Sequence, residues 1–147
     1  MSWDFYAQDF PDVPTVAAIP DDFVPRPLGP RDDVIARIKA AIPAADFSDP
    51  SWGVIVHKDW SIEINIGNDA ICDGFALYVR GGGETAMDCV ATILQATGAR
   101  AVDMQTSEFF ERKTASDSFG VWQSYRDDVV AEVRKPKPAF FARLFGR

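Results

Sequence analysis

The side chains best placed to act on another molecule lie between His57 and Arg80. Residues 61–67 alternate strictly, with Ile62, Ile64 and Ile66 on one side of a strand and Ser61, Glu63 and Asn65 on the other. If helices cover the isoleucine side, Glu63 and Asn65 stand on the opposite face. The register of the neighbouring strands decides whether His57, Tyr78 and Arg80 join them. Together they would make a surface with both charge signs and an aromatic ring, suited to recognising a protein or a small ligand. The same residues also suit a plain solvated sheet, in which a cross-strand Glu–Arg pair adds stability.

His57 is the one histidine of the chain. It could serve as a base near neutral pH, oriented by Asp59 or Glu63. No G-x-S-x-G elbow or other nucleophile motif accompanies it, so no catalytic residue is assigned. Cys72 and Cys89, seventeen residues apart, match no zinc spacing, and two cysteines form no disulfide framework. Asp69-Ala70-Ile71-Cys72-Asp73-Gly74 lacks the ligand ladder of a calcium loop. Gly81-Gly82-Gly83 could cradle an anion, but it has neither P-loop nor dinucleotide spacing, and Glu84 would oppose a phosphate. Neither metal nor cofactor is expected.

The elements that must position these residues follow from the prolines. Of ten prolines, eight fall in residues 1–50 and none between 51 and 135. The proline-free stretch is expected to form the core, since proline removes a backbone donor and fixes φ. Residues 3–10 open as a strand, and residues 11–30 form an extended, proline-rich strap. A helix begins at Gly29-Pro30, carries Val34, Ile35, Ile38, Ala41 and Ile42 at helical spacing, and stops at Pro43. Strands are expected over 53–58, 61–67 and 75–80, with Lys58-Asp59 as the first turn. A helix over 84–97 shows Met87, Val90, Ile93 and Leu94 on one stripe and ends at Gly98. A short strand over 101–104 and a last helix over 117–133 complete the order β-α-β-β-β-α-β-α. The expected fold is a single α+β domain over residues 1–147, with one mostly antiparallel sheet and helices packed on one face.

Charge divides the chain unevenly. The formal total is −7. Residues 1–133 carry −12, while residues 134–147 carry five basic side chains and no acid. So acidic a body repels phosphate backbones, which argues against a nucleic-acid partner and for a basic protein. In the tail, residues 136–147, Phe140, Phe141, Leu144 and Phe145 would form an apolar face, with Lys137, Arg143 and Arg147 on the polar side. This segment is expected to dock on its own body or on a second copy, which would make a homo-oligomer. No run is long and apolar enough for a transmembrane span, and no signal stretch opens the chain. A cytoplasmic setting is therefore expected.

Gly98-Ala99-Arg100-Ala101-Val102-Asp103-Met104-Gln105-Thr106-Ser107-Glu108-Phe109 resembles a G-x-R-A-x-D-x-x-T-G-E-F-like pattern of small bacterial proteins. In these the pattern follows a helix introduced by glycines after a strand, here Gly81-Gly82-Gly83. Some of them are of the toxin-immunity type, binding and neutralising a toxin. Ser107 stands where the pattern has glycine. The resemblance spans roughly residues 60–110, transfers no catalytic residue, and implies a non-enzymatic acidic module; acidic inhibitors commonly oppose basic nucleases. On the residues alone, Asp103, Thr106 and Glu108 equally suit a strand end and a helix cap. The leading expectation is an immunity-like inhibitor of a basic partner. The alternatives are a small enzyme or ligand-binding domain centred on His57 and Glu63, and an assembly built through the tail.

Overall fold

The structure, a computed structural model, describes residues 2–114. The helix expected over 117–133 and the tail residues Phe140, Phe141, Leu144 and Phe145 lie outside the described residues. The elements are β1 (Trp3–Gln8), β2 (Gly29–Pro30), α1 (Arg31–Ala41), β3 (Asp46–Asp49), β4 (Trp52–Val56), β5 (Trp60–Asn65), β6 (Ile71–Cys72), β7 (Gly74–Gly81), α2 (Glu84–Thr97), β8 (Arg100–Asp103) and β9 (Glu108–Phe109). Seven strands form one sheet in the order β3-β4-β5-β7-β1-β8-β9, and every neighbouring pair is antiparallel. The expected α+β fold with helices on one face is present.

Period-two alternation fixes which way the sheet faces. Trp3, Phe5 and Ala7 of β1, Ile62 and Ile64 of β5, and Leu77 and Val79 of β7 are buried with Val34 and Ile38 of α1 and Met87, Val90 and Ile93 of α2. Both helices therefore lie on the isoleucine side. α2 stops at Gly98, whose φ of 73° is the left-handed value that glycine adopts without strain. In β4, Gly53 leaves room for the Phe47 ring of β3, which occupies the space a Cβ would need.

Several boundaries differ from expectation. Pro30 precedes α1 instead of opening it, because Gly29 and Pro30 pair with Cys72 and Ile71 in a separate β2–β6 clip. Leu28 N–H to Cys72 O at 2.8 Å and Arg31 N–H to Ala70 O at 2.9 Å extend that clip. β4 starts one residue earlier than expected, at Trp52, and the turn takes in His57 as well as Lys58 and Asp59. Asp103 closes a strand, but the turn after it leads into β9 and caps no helix.

That turn carries the most consequential buried polar group. Asp103 is 2% exposed. Its Oδ2 accepts the Trp3 indole N–H at 2.9 Å, and its Oδ1 accepts the backbone N–H groups of Gln105 at 2.8 Å and Thr106 at 3.4 Å. Burial nevertheless pushes the carboxyl above the ordinary aspartate range, with the hydrogen bonds opposing the shift. The native state thus binds this proton more tightly than the unfolded chain. The group favours the fold most at low pH, and its contribution declines as pH rises through the raised native value. Ser107, with φ of 61°, holds the left-handed position of the same turn, where the sequence pattern has glycine.

Asp103→Ala orphans the indole and the turn amides, so urea denaturation at pH 7 should show a loss of about 2–4 kcal/mol. An unchanged midpoint would remove Asp103 from the core's account. Ser107→Gly relieves the left-handed backbone and should raise stability by about 0.5–1 kcal/mol in the same assay.

Candidate functional site

The two faces of the sheet are covered differently. On the outer face, strap residues Val13, Val16, Ile19 and Phe23 pack with Tyr6, Phe10, Val102, Met104 and Phe109. Arg100 fastens the strap, donating to Pro11 O at 2.7 Å and Val13 O at 3.0 Å, with its guanidinium 3.6 Å over the Phe109 ring. This cluster holds no residue of β4, β5 or β7. The strap therefore covers the β1–β8–β9 side and, among the described residues, leaves the other half of the outer face open.

Pairing decides what that open half displays. β4 and β5 place Trp52 opposite Asn65, Val54 opposite Glu63 and Val56 opposite Ser61. β5 and β7 place Glu63 opposite Tyr78 and Ser61 opposite Arg80. Glu63, Asn65, Tyr78 and Arg80 consequently share one surface, as their alternation allowed. Trp52 joins them with its ring stacked on Tyr78, centroids 5.8 Å apart and planes 17° apart. Glu63 ties the group together: its Oε1 accepts the Trp52 indole N–H at 3.1 Å, and its Oε2 lies 3.1 Å from Arg80 Nη2. Val56, at 75% exposed, is among the most exposed large apolar side chains described. Sequence reasoning missed Trp52, Val54 and Val56. Their own period of two was the available signal, hidden because the strand was begun at Gly53.

His57 does not reach this surface. It sits at the β4–β5 turn, stacked on Trp60 with centroids 4.7 Å apart and planes 7° apart, and its Nδ1 accepts the Asp59 backbone N–H at 3.2 Å. Trp60 is held in turn by its indole N–H to Thr85 Oγ1 at 2.8 Å, on the helix side. The parity of β4 explains the separation: Ile55 points inward and Val56 outward, so His57 returns to the inner side. Among the described residues no carboxylate is bonded to His57, so neither Asp59 nor Glu63 orients it through its side chain.

The remaining chemistry-bearing groups have local partners. Cys72 and Cys89 are free thiols. Burial raises the pKa of both, that of Cys89 to about 11, which keeps them protonated and poorly nucleophilic. Glu84 and Asp88, at the start of α2, bind Arg112 at 2.6 Å each. Among the described residues no three His, Cys, Asp or Glu side chains form a metal-holding group, and no helix is long and apolar enough to cross a membrane. A shallow groove of about 460 Å³ lies away from the open half-face, lined by Asp32, Ile35, Ala36, Lys39, Phe47 and Pro50.

The open half-face is amphipathic, with Trp52 held by the Glu63 carboxylate, Tyr78 stacked on Trp52, and Arg80 paired with Glu63. That arrangement can bind by area and by charge, and it brings no nucleophile to a base. Comparison with protein-family models, with curated proteins and with solved structures finds no match to this chain.

Both thiols should resist a maleimide reagent at pH 7.5 in the native protein and react fully in denaturant. Rapid native labelling of Cys89 would contradict its protonated, half-buried state.

Proposed function

We propose that the protein is a non-enzymatic binding module, an immunity-like inhibitor that presents the open half of its outer sheet face to a basic partner protein. The observation that carries this reading is the strap's coverage, which stops before β7 and leaves Trp52, Val56, Glu63, Asn65, Tyr78 and Arg80 on one surface. Tryptophan, tyrosine and arginine are the residue types that most often dominate protein interfaces. Here Glu63 holds Trp52 and Arg80 in advance and Tyr78 stacks on Trp52, which reduces the ordering cost on association. The rings and valines supply apolar area at the centre.

Charge supplies the choice of partner. Residues 2–114 carry eighteen acidic and nine basic side chains. A field of that sign draws in a basic protein and speeds its encounter at low salt. The resemblance at residues 98–109 adds the immunity-like character. The free thiols fit a reducing, cytoplasmic compartment. The second reading, a site centred on His57 and Glu63, is not favoured, because the two side chains occupy different sides of the sheet.

Glu63→Lys reverses the central charge and frees the Trp52 indole. Affinity for a basic partner should fall at least about tenfold at 0.1 M salt, whereas the control Asp69→Lys, in the exposed stretch 68–70, should leave it within about threefold. The measurement is a titration of purified variants against the captured partner at 0.1 and 1 M salt. Binding that ignores both salt and Glu63→Lys would sink this mode of recognition.

A further inference from the structure

The strap crosses from one side of the sheet to the other. Phe23 packs in the outer cluster, its ring stacked on Phe10 with centroids 6.4 Å apart, whereas Leu28 packs against the helix-side core. Residues 24–27 bridge these two anchors. We infer that this stretch, Val24-Pro25-Arg26-Pro27, is a recognition site for a second partner protein, one whose groove is lined by aromatic side chains and carries an acid. It shares no residue with the open half-face, so the inference goes beyond the reading above.

The first support is conformation. Proline fixes φ at about −65°, and each proline here biases the residue before it, Val24 or Arg26, away from the helical region. All four residues thus favour extended, polyproline-type backbone. No helix or strand includes them, and among the described residues no backbone–backbone hydrogen bond uses their N–H or C=O groups. A polyproline II segment has that character, with its backbone left to solvent or to a partner. Both ends are tied down. Phe23 N–H donates to Pro20 O at 3.0 Å, Leu28 N–H donates to Cys72 O at 2.8 Å, and Leu28 O accepts from Arg37 at 2.6 Å. The arch is ordered before any partner arrives, which lowers the ordering cost of binding.

The second is the pattern of exposure. A polyproline II helix repeats every three residues, so Val24 and Pro27 share one ridge, Arg26 lies on the next and Pro25 on the third. Exposure follows that period: Val24, Arg26 and Pro27 are exposed, and Pro25 is half-buried. Val24 reaches 79%. A lone exposed valine is ordinary, but here it shares its ridge with a proline. Such a ridge fits the slots between aromatic rings in grooves that read proline-rich peptides.

The third is charge. Arg26 is the one basic residue among residues 1–30, which hold five aspartates. Among the described residues no carboxylate pairs with it. Its guanidinium is left beside the ridge for a carboxylate of the partner. That requirement is opposite in sign to the one at the open half-face, so the two sites select different proteins.

The test follows the isotope-labelled full chain by NMR while isolated SH3 and WW domains, which carry grooves of this chemistry, are added one at a time. With at least one of them the amide resonances of Phe23, Val24, Arg26 and Leu28 should move, while those of β4, β5 and β7 stay in place. Arg26→Glu keeps both prolines and should weaken that binding at least about tenfold, and Pro27→Ala should weaken it as well. Glu63→Lys should leave it within about twofold. Because Arg26 is exposed and unpaired among the described residues, Arg26→Glu should keep the wild-type urea midpoint, so that lost binding reads the contact itself. A panel in which no domain moves the 23–28 amides overturns the inference. Binding that moves the open half-face instead, or that survives both Arg26→Glu and Pro27→Ala, overturns it too.

Discussion

The hydrogen bond from the Trp3 indole to the Asp103 carboxylate joins two residues one hundred positions apart inside the core. Around it the first strand, β1, takes an interior place in the sheet, with β7 on one side and β8 on the other. One sheet face carries both helices, and on the opposite face β1 lies where the strap's cover gives way to open surface. The arrangement depends on a charge that burial disfavours. It is tolerated because an indole and the Gln105 amide meet the carboxylate at 2.9 and 2.8 Å, with the Thr106 amide farther off at 3.4 Å.

The sheet's edges are treated differently from its faces. At the β3 edge, Asp46 accepts both the N–H and the hydroxyl of Ser48, and Asp49 does the same for Ser51. These bonds hold both carboxyls below the ordinary aspartate range and keep charge along the strand. At the other edge, β9 is two residues long and begins with Glu108. Short, charged, self-bonded edges offer a poor template for another strand. Under the proposed function, association falls to a face, where side chains rather than backbone ladders would choose the partner.

Much of this architecture was legible in the sequence because its periodicities are clean. Ile62, Ile64 and Ile66 announced a one-sided strand, Met87, Val90, Ile93 and Leu94 a helix stripe, and Gly98 its end. The shared surface of Glu63, Asn65, Tyr78 and Arg80 was legible only as a possibility, since register is set by pairings that no local window contains. Trp52 was lost through a one-residue error at a strand start. The β2–β6 clip and β9 are two-residue ladders whose existence depends on distant backbone, so propensity carries no trace of them. Asp103 was legible as a strand end or helix cap, but its burial was not, because nothing near it in sequence reveals that Trp3 will arrive to bond it. The extent of the strap's cover followed from Phe10, Ile19 and Phe23 finding Val102 and Phe109, contacts of long sequence separation.

An interior first strand also sets the order in which the sheet can be completed. During synthesis β1 emerges first, yet one neighbour, β7, arrives some seventy residues later, and the other, β8, only after α2. Until then Trp3 and Phe5 have no lasting place to bury, and loop-closure entropy opposes the pairings that would shelter them. Folding is therefore committed late and over long separations, when β8 slots in beside β1 and delivers Asp103 to the waiting indole. The nascent chain passes through a period in which an aromatic strand is sticky and unpaired, the condition that chaperones exist to manage.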